Sequence, residues 1–144
     1  MLERFAMIKI TKESSVSIDD VLHLYQAVGW TNYTNQPQML EQALSHSLAI
    51  YLALDGDAVV GLVRLVGDGF SSVFVQDLIV LPSYQRQGIG SDLMKEALGD
   101  FKDAYQVQLA TEQTEKTLGF YRSLGFETLS TYDCTGMIWV NRKK

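Results

Sequence analysis

The stretch of residues 73–93, VFVQDLIVLPSYQRQGIGSDL, constrains the fold of this chain more than any other. It begins with an apolar run typical of a buried strand, passes Pro82 into a polar turn, and continues with helical spacing. A strand that leads through a glycine-containing loop into a helix presents backbone N–H groups to a phosphate. The stretch therefore predicts an α/β fold with a phosphate-bearing ligand.

The segments around this stretch predict one mixed α/β domain over residues 1–144. A strand at 6–10 comes first, followed by a helix that begins at Ser17 and ends at Gly29, and by a second helix from Pro37. Strands at 48–54 and 58–66 and the apolar run at 73 then form an antiparallel meander.

The remaining segments predict a crossover and a hairpin. The helix after the loop and a strand at 105–110 make a parallel β-α-β unit, and a helix at 114–124 follows. The last predicted pair is a hairpin of strands at 126–132 and 137–140. The fold class is thus α/β: a central, mostly antiparallel sheet with one parallel crossover and helices on both faces.

Composition excludes several classes of protein. The chain carries a net charge of −5, whereas a nucleic-acid partner needs a basic face. One cysteine and two histidines predict no metal site and fit a reducing, cytoplasmic location. Neither a signal peptide nor a membrane span is predicted. The expected partner is a small molecule, and a homodimer is compatible with the sequence.

Three kinds of phosphate loop compete for the turn after the strand. A Walker loop needs a Gly-Lys pair, which this chain lacks. A dinucleotide fingerprint needs a third glycine where Leu93 stands. The third pattern is Gln/Arg-x-x-Gly-x-Gly/Ala, and the chain matches it with Gln85-Arg86-Gln87-Gly88-Ile89-Gly90.

This third pattern resembles the acyl-CoA loop of the GNAT superfamily of N-acetyltransferases. The segment before it, Leu78 to Tyr84, resembles the family's fourth strand and its entry into the loop. A second segment, residues 120–127 (FYRSLGFE), resembles the family's FY-x-x-L-G-F signature. With the predicted order of elements, the resemblance covers nearly the whole chain.

The resemblance implies acetyl transfer from acetyl-CoA to a primary amine, without a metal. It implies that the main chain of the fourth strand pairs with the pantetheine arm and that the loop holds the pyrophosphate. Thr114 stands where many relatives carry asparagine, which puts that contact in doubt. The implied cofactor-binding residues are Leu78, Ile79, Val80, Gln85, Arg86, Gln87, Gly88, Ile89, Gly90, Ser91, Thr114 and Tyr121.

The chemistry needs a proton donor for the departing thiolate and an acceptor for the amine proton. Tyr121 matches the family's frequent general acid, and a backbone N–H near Leu78 to Val80 is expected at the oxyanion. The positions where relatives place a base hold Phe74 and Gln76, which do not titrate. Three alternatives remain for the acceptor of the amine proton. They are Asp77, if a β-bulge turns its side chain toward the site, Glu112, and a water relay.

Substrate selection is expected from the N-terminal helices and the last hairpin. The candidates are Trp30, Tyr33, Thr34 and Gln76, and plain core packing is the alternative for the two aromatic residues. The competing functional hypothesis is a non-catalytic acyl-CoA-binding module on the same fold.

Overall fold

The computed structural model describes residues 7–141, which fall in two compact units, Met1–Leu109 and Ala110–Lys144. The single domain over residues 1–144 stays a prediction. None of the helices among residues 7–141 is both long and apolar enough to span a bilayer.

The first unit is built on a five-stranded mixed sheet. Its strands are adjacent in sequence order, with β1 to β4 antiparallel and β5 parallel to β4. This arrangement confirms the predicted fold class, although β5 is shorter than the predicted strand and residue 6 of the predicted first strand lies outside the described residues. The strands are β1 (Ile8–Glu13), β2 (Ala49–Asp55), β3 (Ala58–Gly67), β4 (Val73–Val80) and β5 (Val107–Leu109).

Four α-helices and a short 3-10 helix, Pro82–Tyr84, accompany this sheet in the described part of the first unit, and local signals set the ends of the α-helices. Ser17 caps the first helix by accepting a hydrogen bond from the Asp19 N–H at 3.2 Å. Gly29 follows that helix with φ +71°, a left-handed conformation that glycine adopts easily. The helices are α1 (Ile18–Ala27), α2 (Thr31–Thr34), α3 (Pro37–Ser45) and α4 (Ile89–Asp100).

The helices cover both faces of the sheet. One core cluster joins α1, α2 and α3 to the inner face of β2, β3 and β4. Successive strand side chains point to opposite faces, and Tyr51, between two residues of this cluster, donates to Asp100 of α4 at 2.6 Å. Helix α4 therefore packs on the other face, through Leu93, Met94 and Ala97.

A tight turn connects β3 to β4. Asp68 accepts hydrogen bonds on Oδ1 from the N–H groups of Phe70, Ser71 and Ser72. The Ser71 hydroxyl and these N–H groups hold the pKa of Asp68 well below its usual range. Gly67 has φ +128°, and a Cβ there would collide with the Ser72 carbonyl oxygen.

The second unit contains helix α5 (Glu115–Ser123) and a short 3-10 helix, Leu129–Tyr132. Thr114 caps α5 by accepting from the Thr117 N–H at 3.1 Å, which agrees with the predicted helix. The predicted hairpin of strands at 126–132 and 137–140 is wrong, since no strand occurs in residues 110–141. Local hydrogen bonds of the 3-10 turn and the left-handed Asp133 (φ 58°) replace the predicted pairing.

Candidate active site

A β-bulge lies in the middle of β4. Arg64 of β3 pairs with Asp77, but the next residue, Leu65, pairs with Val75, so Gln76 is an extra residue on the β4 side. The bulge breaks strict alternation and turns Asp77 toward the core layer of α1 to α3. The Asp77 side chain is only 2% exposed there.

Asp77 is the centre of a buried polar cluster, which we call the Asp77 cluster. Its carboxylate accepts from the Tyr25 hydroxyl at 2.8 Å, the Tyr33 hydroxyl at 3.0 Å and Arg64 Nε at 2.8 Å. Arg64 also donates to the Ser47 hydroxyl at 3.2 Å and to the Tyr33 oxygen at 3.2 Å. The cluster joins α1, α2 and Ser47, which follows α3, to β3 and β4, and it satisfies both buried charges.

The electrostatics of the cluster fix its charge state. Burial and the Asp77 carboxylate raise the pKa of Tyr25, and the same two causes raise the pKa of Tyr33. Burial acts to lower the pKa of Arg64, but the Asp77 carboxylate outweighs it and the pKa is raised. The cluster thus holds two neutral phenols around one ion pair.

Three aromatic rings pack beside this cluster. The Tyr25 and Tyr33 rings meet edge to face at 5.0 Å, and Trp30 lies 6.1 Å from Tyr25 and 6.4 Å from Tyr33. Tyr33 belongs to the core, whereas Trp30 and Thr34 are half-buried. Of the residues predicted to bind the acceptor, Trp30 and Thr34 thus keep accessible surface on α2 and its cap.

Gln76 connects the bulge to the same residues. Its side chain is exposed, and its Nε2 lies 3.4 Å from the Tyr33 hydroxyl. The structure therefore brings Trp30, Gln76 and Asp77 together around Tyr33.

Past the bulge, β4 has a backbone edge that β5 does not cover. Strand β5 pairs only with Val73, Phe74 and Val75. The Leu81 N–H donates to the Val60 carbonyl of β3, so alternation directs the backbone groups of Leu78 and Val80 away from β3. On that side the Gln85 side chain donates to the Val80 carbonyl at 3.1 Å.

The loop after β4 has the shape of an anion-binding nest. Arg86 (φ 65°) and Gly88 (φ 82°) are both left-handed, and the exposed Gln87 lies between them. Gly88 is the N-cap of α4, and no side chain of the described residues caps the helix there. The first N–H groups of α4 therefore remain available for an anion at the positive end of the helix.

A hydrogen bond to the end of β2 anchors the start of the loop. The Tyr84 hydroxyl donates to Asp55 at 2.6 Å, at the end of β2. This bond ties the start of the loop to the β2–β3 turn of the same unit.

The second unit contains three of the predicted site residues. The Tyr121 ring packs against Phe120 at 5.0 Å and Phe126 at 5.9 Å. Burial raises the pKa of Tyr121, and a hydrogen bond with Thr111 acts in the opposite direction. Thr114 is occupied as the cap of α5, and Glu112 is exposed.

Sequence reasoning did not single out Arg64 and Tyr25 as site residues. Arg64 carried a usable signal, because it is one charge inside the apolar run of β3, and a buried charge needs a partner. Tyr25 fitted the apolar face of α1, and nothing in its spacing indicates a hydrogen bond to a residue 52 positions away.

The family is settled by comparison with known proteins. The family model described as "Acetyltransferase (GNAT) domain" matches residues 46–128, more than half of the chain. This chain belongs to the GNAT acetyltransferase family. A solved GNAT-family acetyltransferase from Streptococcus pneumoniae TIGR4 is 82% identical, with a TM-score of 0.87, over 94% of this chain and 99% of that one.

Two curated plant relatives are more distant. GCN5-related N-acetyltransferase 1, chloroplastic, of Arabidopsis thaliana is 28% identical over 90% of this chain and 65% of its own length. Serotonin N-acetyltransferase 2, chloroplastic, of Oryza sativa subsp. japonica is 32% identical over 63% of this chain and 48% of its own length. The GNAT chain described here thus spans only part of these relatives.

Proposed function

We propose that this protein is an N-acetyltransferase that moves the acetyl group of acetyl-CoA to a primary amine of a small molecule. Family membership supports acetyl transfer with acetyl-CoA as the co-substrate. The observation that carries the proposal is the β4 edge beyond its pairing with β5, followed by the left-handed loop at the N-terminus of α4.

The β4 edge and the loop suit two different parts of acetyl-CoA, the pantetheine arm and the pyrophosphate. An extended pantetheine arm with amide groups can pair with the backbone of Leu78 and Val80 as an added strand would. The pyrophosphate fits the nest, where Gly88 leaves the backbone accessible and Arg86 can add a charge-assisted contact. Gln85 would release the Val80 carbonyl when the arm pairs there.

The proposed reaction is a direct transfer. The amine nitrogen attacks the thioester carbon, and the developing oxyanion accepts a hydrogen bond from the backbone N–H of Leu78 or Val80. The C–S bond then breaks, and the Tyr121 phenol gives its proton to the departing thiolate. The raised pKa of Tyr121 keeps the phenol protonated at neutral pH, and solvent restores the proton afterwards.

For the amine proton we propose a water relay. Asp77 already accepts hydrogen bonds from three donors and is shielded from solvent, which argues for a fixed carboxylate. Glu112 is exposed and is the alternative base. A Glu112→Gln variant that keeps the wild-type pH–rate profile would support the relay, whereas loss of its acidic limb would assign the base to Glu112.

The proposed acceptor is an amine with a hydrophobic or aromatic group. The accessible part of Trp30 offers a ring face, and Gln76 offers an amide at the rim. The name of the rice relative makes serotonin a rational member of a first panel of amines.

The alternative is a non-catalytic acyl-CoA-binding module. It is favoured by Phe74 and Gln76, two side chains that cannot titrate and that stand at the positions where relatives place a base.

One assay separates the two functions. The protein is incubated with acetyl-CoA and a panel of aromatic, aliphatic and sugar amines, and free thiol is measured. Thiol release that needs an amine and falls in Tyr121→Phe supports the enzyme. Saturable CoA binding with no thiol release from any amine would establish the module instead.

A further inference from the structure

Tyr84 differs from its neighbours in the loop after β4. Its side chain is half-buried, whereas Pro82, Ser83 and residues 85–88 are exposed. Its hydroxyl donates to Asp55 Oδ2 at 2.6 Å, across 29 positions of the chain. A hydrogen bond to a carboxylate is stronger than one between neutral groups. Tyr84 therefore connects an exposed loop to another element of the first unit by a strong bond.

The strand that carries Asp55 is well supported. Asp55 is the last residue of β2, and its backbone pairs with Ile8 of β1 on one side and with Ala58 of β3 on the other. From helix α1, His23 Nε2 lies 2.7 Å from the carbonyl oxygen of Val59, beside the same turn. The β2–β3 turn is thus held by β1 and α1, and it offers the loop a fixed point.

The loop needs such a point because its backbone includes an unfavourable conformation. Arg86 has φ 65°, in the left-handed region that a residue with a Cβ rarely adopts. Such a conformation persists only where the surrounding structure holds it. Ile89 is buried at the start of α4 and anchors the C-terminal side of the loop. Tyr84, two residues before Arg86, anchors the other side.

We propose that Tyr84 is a positioning residue for CoA, and that its hydrogen bond to Asp55 holds the loop in the shape that receives the pyrophosphate. This inference rests on the proposed function, since it requires the loop to bind CoA. Tyr84 acts through the backbone of residues 86–91 and does not contact CoA itself. A loop that takes the binding shape for only part of the time lowers the apparent affinity by that fraction. The bond therefore acts on the association rate, whereas the contacts of bound CoA set the dissociation rate.

The test is CoA binding to the full chain, with calorimetry for the Kd and surface plasmon resonance for the rates. Tyr84→Phe removes the hydroxyl and keeps the ring. It should raise the Kd for CoA about 10-fold through a slower association, with the dissociation rate within about 2-fold of wild type. Asp55→Ala should act in the same way, and the double variant should bind as tightly as each single variant, because all three lack the same bond. Asp55→Asn keeps an acceptor oxygen and should retain most of the affinity.

Tyr51→Phe is the matched control. Tyr51, also on β2, donates its hydroxyl at 2.6 Å to the carboxylate of Asp100, at the C-terminal end of α4 and so at the end opposite the loop. This variant loses a bond of the same kind and length, and it should keep the wild-type Kd and rates for CoA. Thermal unfolding followed by circular dichroism shows that each variant folds.

The outcomes distinguish this inference from the proposed function. Slower association in Tyr84→Phe and Asp55→Ala, beside an unchanged Tyr51→Phe, supports the positioning role. A wild type that does not bind CoA contradicts the proposed function and the role of Tyr84 with it. A wild type that binds CoA, beside a Tyr84→Phe variant with the same Kd, overturns the positioning role alone. Faster dissociation in Tyr84→Phe would mean direct contact with CoA, and it also overturns that role, as does an equal loss of affinity in Tyr51→Phe.

Discussion

Replacement of Asp77 by asparagine should destabilise this protein more than any change at its surface. The carboxylate faces three donors, at 2.8 Å from Tyr25, 3.0 Å from Tyr33 and 2.8 Å from Arg64. An asparagine turns an NH2 group toward at least one of these donors. It also removes the counter-charge of a guanidinium whose side chain is only 5% exposed.

The expected size follows from the burial of the pair. Breaking a buried ion pair by removing one partner costs about 3–5 kcal/mol of unfolding free energy. Since both side chains are almost fully buried, solvent screening does not reduce this figure. For a chain of this size it corresponds to a fall in Tm of roughly 10 °C.

The assay is urea and thermal unfolding followed by far-UV circular dichroism. Asp100→Asn is the control. The ion pair of Asp100 with Lys12 (3.6 Å) has half-exposed side chains and should contribute only about 0–1 kcal/mol, and the amide oxygen of the asparagine can still accept from the Tyr51 hydroxyl. The double variant Arg64→Met, Asp77→Leu should recover part of the loss by removing both charges. An Asp77→Asn protein within about 1 kcal/mol of wild type would refute the reasoning.

Three further predictions concern the proposed general acid Tyr121, Arg86 of the phosphate loop, and Gly67 of the β3–β4 turn. Tyr121→Phe should lower kcat by about 10²- to 10⁴-fold with little change in CoA affinity. In the wild type, the raised pKa of the Tyr121 phenol should place the alkaline fall in kcat above about pH 10. Arg86→Ala should raise the Kd for CoA about 10- to 100-fold by calorimetry, more at low salt than at high salt. Gly67→Ala should destabilise the fold by about 1–3 kcal/mol in urea, because its Cβ meets the Ser72 carbonyl oxygen.

Each of these predictions has an opposing result. An alkaline limb below pH 9, or a Tyr121→Phe enzyme with wild-type kcat, would remove the phenol from the proton transfer. A CoA affinity unchanged in Arg86→Ala would leave the backbone nest as the whole pyrophosphate site. A Gly67→Ala protein as stable as wild type would mean that the turn relaxes without loss.

The sheet and the phosphate loop were predictable because local patterns determine them. The turn glycines and the apolar runs located β2, β3 and β4, and a serine, a proline and a threonine marked the starts of α1, α3 and α5. The loop was recognised because its glycines and its place after an apolar strand belong to one short stretch. The short helix at Thr31–Thr34 was missed because its polar residues carry no apolar period.

The Asp77 cluster was not predictable in the same way. Its bonds join residues 13, 44 and 52 positions apart, and no local pattern encodes such pairings. The bulge that turns Asp77 inward was foreseen only as one alternative, because nothing in the strand residues fixes its place. The predicted hairpin at 126–140 was wrong because the strand propensity of a segment does not supply a partner strand.

The Asp77 cluster also limits how the proposed acceptor side can change in evolution. Its four principal residues, Tyr25, Tyr33, Arg64 and Asp77, come from four different elements, and each single replacement leaves a buried polar group unmatched. Such residues should therefore be replaced as a set rather than one at a time. Divergence toward new amines should therefore begin at Trp30. Its side chain meets the cluster only by ring packing, and its hydrogen bonds to Tyr25 and Tyr33 come from the backbone, so it can be exchanged one mutation at a time.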